Sequence, residues 1–271
     1  TAGKAGVWGK YPDYHRINVV GTEQVLQTCR KLAIPVLVHT SSPSITHTGK
    51  DIEGDDESMP VATEFLSPYP ATKAAAELLV LDANSEQLLT TALRPHLIWG
   101  PGDPHILPRL AASVRNGRLL LPGADKVIDT VFVDNAAHAH VLALDDLHGR
   151  ARCAGRPYYI SNDEPLPQAE IISMLLDAIG IQATIRPISA GLARTAGAVC
   201  EFTWKLLRLK SEPPITRFSA DQLSTSHWYD ISASQRDFAY QPIISIALGL
   251  EILRSSMKKL SGISKTISGS W

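Results

Sequence analysis

Residues 36–42 read Val36-Leu37-Val38-His39-Thr40-Ser41-Ser42, a short run rich in β-branched residues that ends in two hydroxyls. Such a run, closed here by Pro43, reads as a buried strand entering a turn. Before it, Ile17, Val20, Val25, Leu26 and Leu32 give a helical stripe from Tyr14 to Ala33. Helix followed by buried strand is the repeating unit of a parallel α/β sheet.

The unit recurs downstream. Tyr69 to Ala83 is a helical pattern with an alanine-rich centre at Ala74 to Ala76. Leu89 to Leu93 and Leu97 to Trp99 read as strand, interrupted at Pro95. Ile106 to Asn116 and Asn135 to Leu147 read as helices, with Asp134 placed to cap the second. Tyr158 to Ser161 reads as strand, and Glu170 to Ala178 as helix after Pro167. Beyond about Pro187 the pattern is mostly helical, broken at Pro213-Pro214 and closing with a helix near Ile244 to Lys259. The small, polar tail from Ser261 to Trp271 is expected to fray. The fold class is α/β and doubly wound.

Composition narrows the function. An apolar fraction of 44% and a charged fraction of 20% are those of an ordinary globular chain with a sizeable core. A formal net charge of −1 argues against a nucleic-acid partner, which calls for a basic face. Cys29, Cys153 and Cys200 are odd in number and far apart, neither a disulfide framework nor a metal pair. A reducing cytoplasm is expected. The apolar stretch Ala190 to Leu209 is interrupted by Arg194, Glu201 and Lys205 and reads as an amphipathic helix, with no transmembrane span. Core packing, a cover over an apolar substrate, or contact with a membrane surface would each explain it.

Two motifs invite chemistry. Gly3, Gly6 and Gly9 superficially match a dinucleotide fingerprint, but no strand pattern precedes them to aim a phosphate loop. Tyr69-Pro70-Ala71-Thr72-Lys73 is sharper. A spacing of four puts the phenol and the ammonium on one helix face. A neighbouring positive charge favours the phenolate and lowers the phenol's pKa, so that Tyr69 could exchange a proton with a ketone or alcohol near neutral pH. The pair alone is common, and a surface neighbour pair explains it as well. Its context is Ser42, at the carboxyl end of a strand, where ligands sit in a parallel sheet. The strand into Arg94-Pro95-His96-Leu97-Ile98-Trp99-Gly100-Pro101-Gly102 ends in a glycine–proline loop that a flat ligand can approach. Asn18, polar within an apolar helix, is either a buried support for Lys73 through water or a plain helix-face residue.

At these residues the chain resembles the extended short-chain dehydrogenase/reductase superfamily. The shared signatures are Asn18-Val19-Val20-Gly21-Thr22, Thr40-Ser41-Ser42, Tyr69 with Lys73, Arg94-Pro95 through Gly102, and Phe132-Val133-Asp134-Asn135. Within it the chain is similar to the 3β-hydroxysteroid and sterol-carboxylate dehydrogenase branch, and to bacterial reductases of long-chain olefin formation. Lys4-Ala5-Gly6-Val7-Trp8-Gly9, Ser161-Asn162-Asp163-Glu164-Pro165, Ala198-Val199-Cys200-Glu201 and His227-Trp228-Tyr229 carry that narrower likeness.

The resemblance implies a Rossmann-like sheet over 1–165, a smaller, mostly helical substrate lobe over 166–260, and a flexible tail over 261–271. It implies Tyr69 as catalytic acid/base, Lys73 as its partner on the nicotinamide ribose, Ser42 as the carbonyl-orienting hydroxyl and Asn18 in the proton relay. Ala2, Gly3, Ser41, Pro95 and Ile98 would line the cofactor, with Ala2 and Gly3 at the end of a strand. Family members begin with a strand, a glycine-rich phosphate loop and a ribose-reading residue. About three βα units of that kind are absent from these 271 residues, so NAD and NADP are not distinguished, NADPH being favoured only by likeness.

The expected reaction is reduction of a 3-keto group, or oxidation of a 3-hydroxyl, on a large apolar molecule such as a 2-alkyl-3-oxoalkanoate. A sterol dehydrogenase is the near alternative. His96, His105 and Arg109 would meet a substrate carboxylate if they are not simply loop-stabilising. A nucleotide-sugar epimerase or dehydratase uses the same Tyr/Lys pair, though the apolar Ala190 to Leu209 stretch speaks against a diphosphate. A non-enzymatic NAD(P)-binding protein is the third reading. The likeness further implies a homodimer through the helices at Tyr14 and Tyr69, and contact with other olefin-forming enzymes. No metal is expected, since His138 and His140 stand two apart on a helix and face different ways.

Overall fold

Leu89–Pro95 is the central strand of a three-stranded parallel sheet, flanked by Val36–Thr40 and Pro157–Ile160. Residues 90–95 are all buried, as a strand covered on both faces requires. The computed structural model describes residues 3–209 and 211–268, with side chains through Lys259.

On one face lie the helices Gly21–Lys31 and Pro68–Asp82, which pack Leu26, Cys29, Val80 and Ala83 around Leu88. On the other, the helix Val133–His148 sets Ala136, Ala139, Ala143 and Leu147 against Val36, Leu93, Tyr158 and Ile160. The small residues on that helix let it approach the sheet closely. This is the doubly wound, Rossmann-like arrangement expected.

Register decides where the chemistry can sit. Thr40 lies opposite Leu93, and the Ser41 amide donates to the Leu93 carbonyl at 2.6 Å. Ser41 and Ser42 therefore leave the sheet beside Arg94 and Pro95, at the carboxyl edge.

Several expectations need correction. Val36–Thr40 reads as a buried strand, but only Val36 is buried and the rest are half-buried. It lies at the sheet edge, paired on one side among the described residues. The helix before it runs from Tyr11 to Lys31 in three parts, Tyr11–Tyr14, a π-helical turn His15–Val20, and Gly21–Lys31. The wide π turn shifts the phase of the apolar face. Tyr14, Asn18, Val19, Leu26 and Cys29 are buried, whereas the expected stripe members Val25 and Leu32 are exposed. The helix expected over Ile106 to Asn116 stops at Ser113. Asp134 does not cap its helix; Phe132 holds the cap position, and Asp134 is an exposed first-turn residue.

The C-terminal region is less purely helical than its pattern. Helices Ala190–Leu206, Arg217–Leu223 and Ser232–Phe238 are accompanied by a strand, His227–Tyr229. That strand lies between Ile52–Asp55 and Val127–Ile128, so residues after 166 share a sheet with residues before it. Arg118–Pro122 pairs in parallel with Thr184–Ile188. The last helix, Ile246–Ser268, continues through most of the stretch expected to fray. Within 261–268 no proline and only Gly262 stand against helix; residues 269–271 lie outside those described. Among the described residues no helix is long and apolar enough to cross a membrane.

Candidate active site

The helix expected over Tyr69 to Ala83 runs from Pro68 to Asp82. Ser67 is the N-cap, its hydroxyl accepting from the Tyr69 amide at 3.4 Å, and Pro68 takes a first-turn position. The Ser67 hydroxyl also donates to the Val7 carbonyl at 2.9 Å, tying the N-terminal loop to the helix start. Tyr69 is thereby fixed in the first turn.

Ser42 is the N-cap of a 3-10 turn, Pro43–Ile45, and its hydroxyl shares a 2.9 Å bond with that of Ser44. The Tyr69 phenol lies near enough to this hydroxyl to feel it. Burial pushes the phenol above its ordinary value, and hydrogen bonding to Ser42 works the other way. The two residues singled out from separate segments of the sequence are brought together.

Lys73 turns to the edge strand. Its ammonium donates to the Thr40 carbonyl at 2.5 Å, and burial pushes it down to about 8, with Glu77 working the other way. The carbonyl at the end of the edge strand has drawn the ammonium toward backbone. His39, on the same strand, is held down to about 3 by burial, with Lys73 and His140 adding to it.

Asn18 lies in the π turn and is almost fully buried. Its carboxamide accepts from the Lys4 amide at 2.7 Å and donates to the Lys4 carbonyl at 3.1 Å. It also donates to the Thr72 hydroxyl at 3.0 Å, one residue before Lys73. Its direct partners are thus the N-terminal loop and the Tyr69 helix rather than Lys73.

Groups suited to a nicotinamide ribose are present. The Ser41 hydroxyl is buried with no protein partner, the sort of orphan a ligand satisfies. It sits on the strand end whose Thr40 carbonyl holds Lys73. In the Pro95–Ile98 loop, Leu97 takes a positive φ of 44°, turning the backbone between Pro95 and the short strand Ile98–Trp99. Gly3 is exposed in irregular backbone, not at a strand end, and Ala2 lies outside the described residues. No strand–glycine loop–helix unit fit for a pyrophosphate occurs among the described residues.

The three expected carboxylate-binding residues have different partners. His96 is buried, with Nδ1 bonded to Asp129 and its ring edge-on to His227 at 4.8 Å and Tyr229 at 5.3 Å. Arg109 is paired with Glu212 at 2.5 Å, and Glu212 also accepts from the Val7 amide. His105 is exposed just before Ile106–Ser113, a helix whose first amides bond Asp103. His140 bonds Thr40 and the Ala136 carbonyl. No three His, Cys, Asp or Glu side chains among the described residues are grouped to hold a metal.

Sequence reasoning passed over Glu77 and Arg94. They form a buried two-point ion pair, Nε to Oε2 at 3.0 Å and the second nitrogen to Oε1 at 2.6 Å. It links the Tyr69 helix to the central strand. Glu77 stands one turn beyond Lys73, and that spacing was the available signal.

Comparison with known proteins places this geometry. The model of the 3-beta hydroxysteroid dehydrogenase/isomerase family matches residues 1–188. The chain belongs to that family. Similar to it is the 2-alkyl-3-oxoalkanoate reductase of Stenotrophomonas maltophilia (strain K279a), 50% identical over 93% of this chain and 78% of the relative. The reductase of the same name from Shewanella oneidensis is 46% identical over 95% of this chain and 69% of the relative. The human sterol-4-alpha-carboxylate 3-dehydrogenase, decarboxylating, is 30% identical over 91% and 68%. In fold, the chain is similar to a UDP-glucuronic acid 4-epimerase from Bacillus cereus, solved with UDP-glucuronic acid and NAD. Here the TM-score is 0.68 at 22% identity, over 96% of this chain and 74% of the other. The 3-beta hydroxysteroid dehydrogenase/isomerase family member described here is thus an oxidoreductase of the extended short-chain type.

Proposed function

We propose that the protein reduces the 3-keto group of a long-chain 2-alkyl-3-oxoalkanoate, using NADPH or NADH. The observation that carries this reading is the meeting of Tyr69 and Ser42 at the carboxyl edge of the sheet, with Lys73 one turn behind. The likeness to the two bacterial reductases supports the choice of substrate.

The nicotinamide, when bound, supplies hydride to the substrate's third carbon. The rest falls to the chain. Ser42 donates a hydrogen bond to the ketone oxygen and fixes its position. Tyr69, kept protonated by burial, gives its phenolic proton to that oxygen as the alcohol forms. With its pKa raised above the ordinary phenol value, Tyr69 is protonated at neutral pH, the state that a proton donor needs. Lys73 and Ser41 would hold the ribose hydroxyls, with Lys73 exchanging the Thr40 carbonyl for them. Backbone of Pro95 to Ile98 would meet the carboxamide.

The test uses the full-length protein with NADPH and NADH, a long-chain 2-alkyl-3-oxo acid, a 3-ketosteroid and a UDP-sugar. Cofactor oxidation fastest with the oxo acid is expected. Turnover confined to the steroid would move the assignment to the sterol branch, and turnover confined to the UDP-sugar would overturn it.

A further inference from the structure

The helix Ala190–Leu206 is amphipathic in reverse. Its inward face is made of Ala193, Gly197 and Glu201, all buried, while its largest apolar side chains point outward. Leu192 is 59% exposed, Val199 60%, Phe202 68% and Leu206 68%. At about 100° per residue these four fall within an arc of about 80°. Leu207 and Leu209 extend the exposed apolar surface beyond the helix end.

The inward face explains why. At Gly197 any Cβ would stand 2.7 Å from the Thr216 carbonyl carbon, so the neighbouring backbone comes too close for a larger residue. Glu201 receives the Arg217 amide at 2.7 Å and its Nε at 2.9 Å. The helix is therefore anchored through small residues and one ion pair. Its four large apolar side chains contribute little to that packing, and a soluble surface rarely gathers such a patch without a partner.

The charges around the patch point to the partner. Glu201 is the one acidic residue between 190 and 209, and it is buried against Arg217. Lys205 and Arg208 are exposed at the end where Phe202, Leu206, Leu207 and Leu209 gather. Within 190–209 the apolar side chains are bordered by cations and no acid is exposed, and the exposed Glu212 just beyond is neutralised by Arg109; such a face complements an anionic lipid surface. Lys205 also stands 5.8 Å from the centre of the Trp8 ring. Trp8 follows Val7, whose carbonyl holds the Ser67 cap of the Tyr69 helix. The patch thus runs up to the loop at the start of the candidate active site.

We infer that this helix lies flat on an anionic bilayer surface, inserting Leu192, Val199, Phe202 and Leu206 while Lys205 and Arg208 meet lipid phosphates. The placement would bring the active-site mouth to where an apolar substrate is dissolved. It does not depend on which ketone the site reduces.

Flotation of the full-length protein with vesicles of phosphatidylcholine, alone or mixed with phosphatidylglycerol, tests it. The protein is expected to float with the mixed vesicles and much less with the neutral ones. The double variant Phe202→Asp/Leu206→Asp should lose at least about tenfold in vesicle partitioning. The variant Lys205→Glu/Arg208→Glu, which leaves the apolar face intact, should lose the preference for anionic vesicles. Thermal midpoints near wild type and unchanged turnover of a short, water-soluble ketone would show both variants intact. No flotation of the wild type, or equal flotation of the Asp variant, would overturn the inference. So would a wild-type dimer that the Asp variant disperses without any vesicle binding, since the face would then join two copies.

Discussion

The Lys73 ammonium donates to the Thr40 carbonyl at 2.5 Å, at the end of the strand that carries Ser41 and Ser42. The lysine is thus held at the sheet edge one turn behind Tyr69, with its charge directed to backbone. Burial makes that charge costly, which is why its pKa falls to about 8.

A pH signature follows. Lys73 is depressed in the folded state from 10.5 to about 8, so between these values the unfolded chain binds the extra proton. Stability therefore rises with pH across that window through this group, and below pH 8 its burial penalty is fully present. Several tyrosines raised by burial act oppositely near and above pH 10, so the difference between wild type and Lys73→Met is the quantity to read. The variant's stability advantage should be largest at pH 7 and shrink between pH 8 and 10. Urea midpoints at a series of pH values check this, and a constant difference would contradict it.

Glu77 and Arg94 make a second prediction. Both side chains are 3% exposed, and the Arg94 guanidinium also lies 5.1 Å from the centre of the Tyr159 ring. Glu77→Ala leaves a buried, unpaired guanidinium and should cost about 3–5 kcal/mol in equilibrium unfolding. Replacing both, as Glu77→Leu with Arg94→Met, should cost clearly less, because no charge is left stranded. Equal losses would mean that the pair's geometry, not its charge balance, is what matters.

Asn18 ties two segments that are remote in sequence. Asn18→Ala removes its bonds to both backbone groups of Lys4 and to Thr72, and should cost about 1–3 kcal/mol. The Lys4 amide should exchange hydrogen markedly faster in native-state measurements. Unchanged protection at Lys4 would show that the loop is held elsewhere.

Much of this arrangement was legible in the residues. The strand into Ser41-Ser42 and the helix from Tyr69 are local patterns, and local patterns survive folding. The π turn at His15–Val20 was not legible, because no composition marks an inserted residue, and with it went the phase of the apolar face. The strands Val127–Ile128, Val131–Phe132 and His227–Tyr229 are two or three residues long, too short for a period to register. The partners of His96 and Arg109 were hidden for another reason. Asp129 and Glu212 lie 33 and 103 residues away and are brought in by the tertiary fold alone. The exposed face of Ala190–Leu206 was readable as amphipathic, but which side faced inward was settled by Gly197 and Glu201.

The central claim is that the Tyr69 phenol delivers the proton. Its most direct test is single-turnover reduction of a 2-alkyl-3-oxo acid by full-length wild type and Tyr69→Phe, with cofactor affinity measured on each. Loss of general-acid catalysis should slow the chemical step by about 10²–10⁴-fold and leave cofactor affinity nearly unchanged. A rate within a few fold of wild type would remove Tyr69 from the reaction.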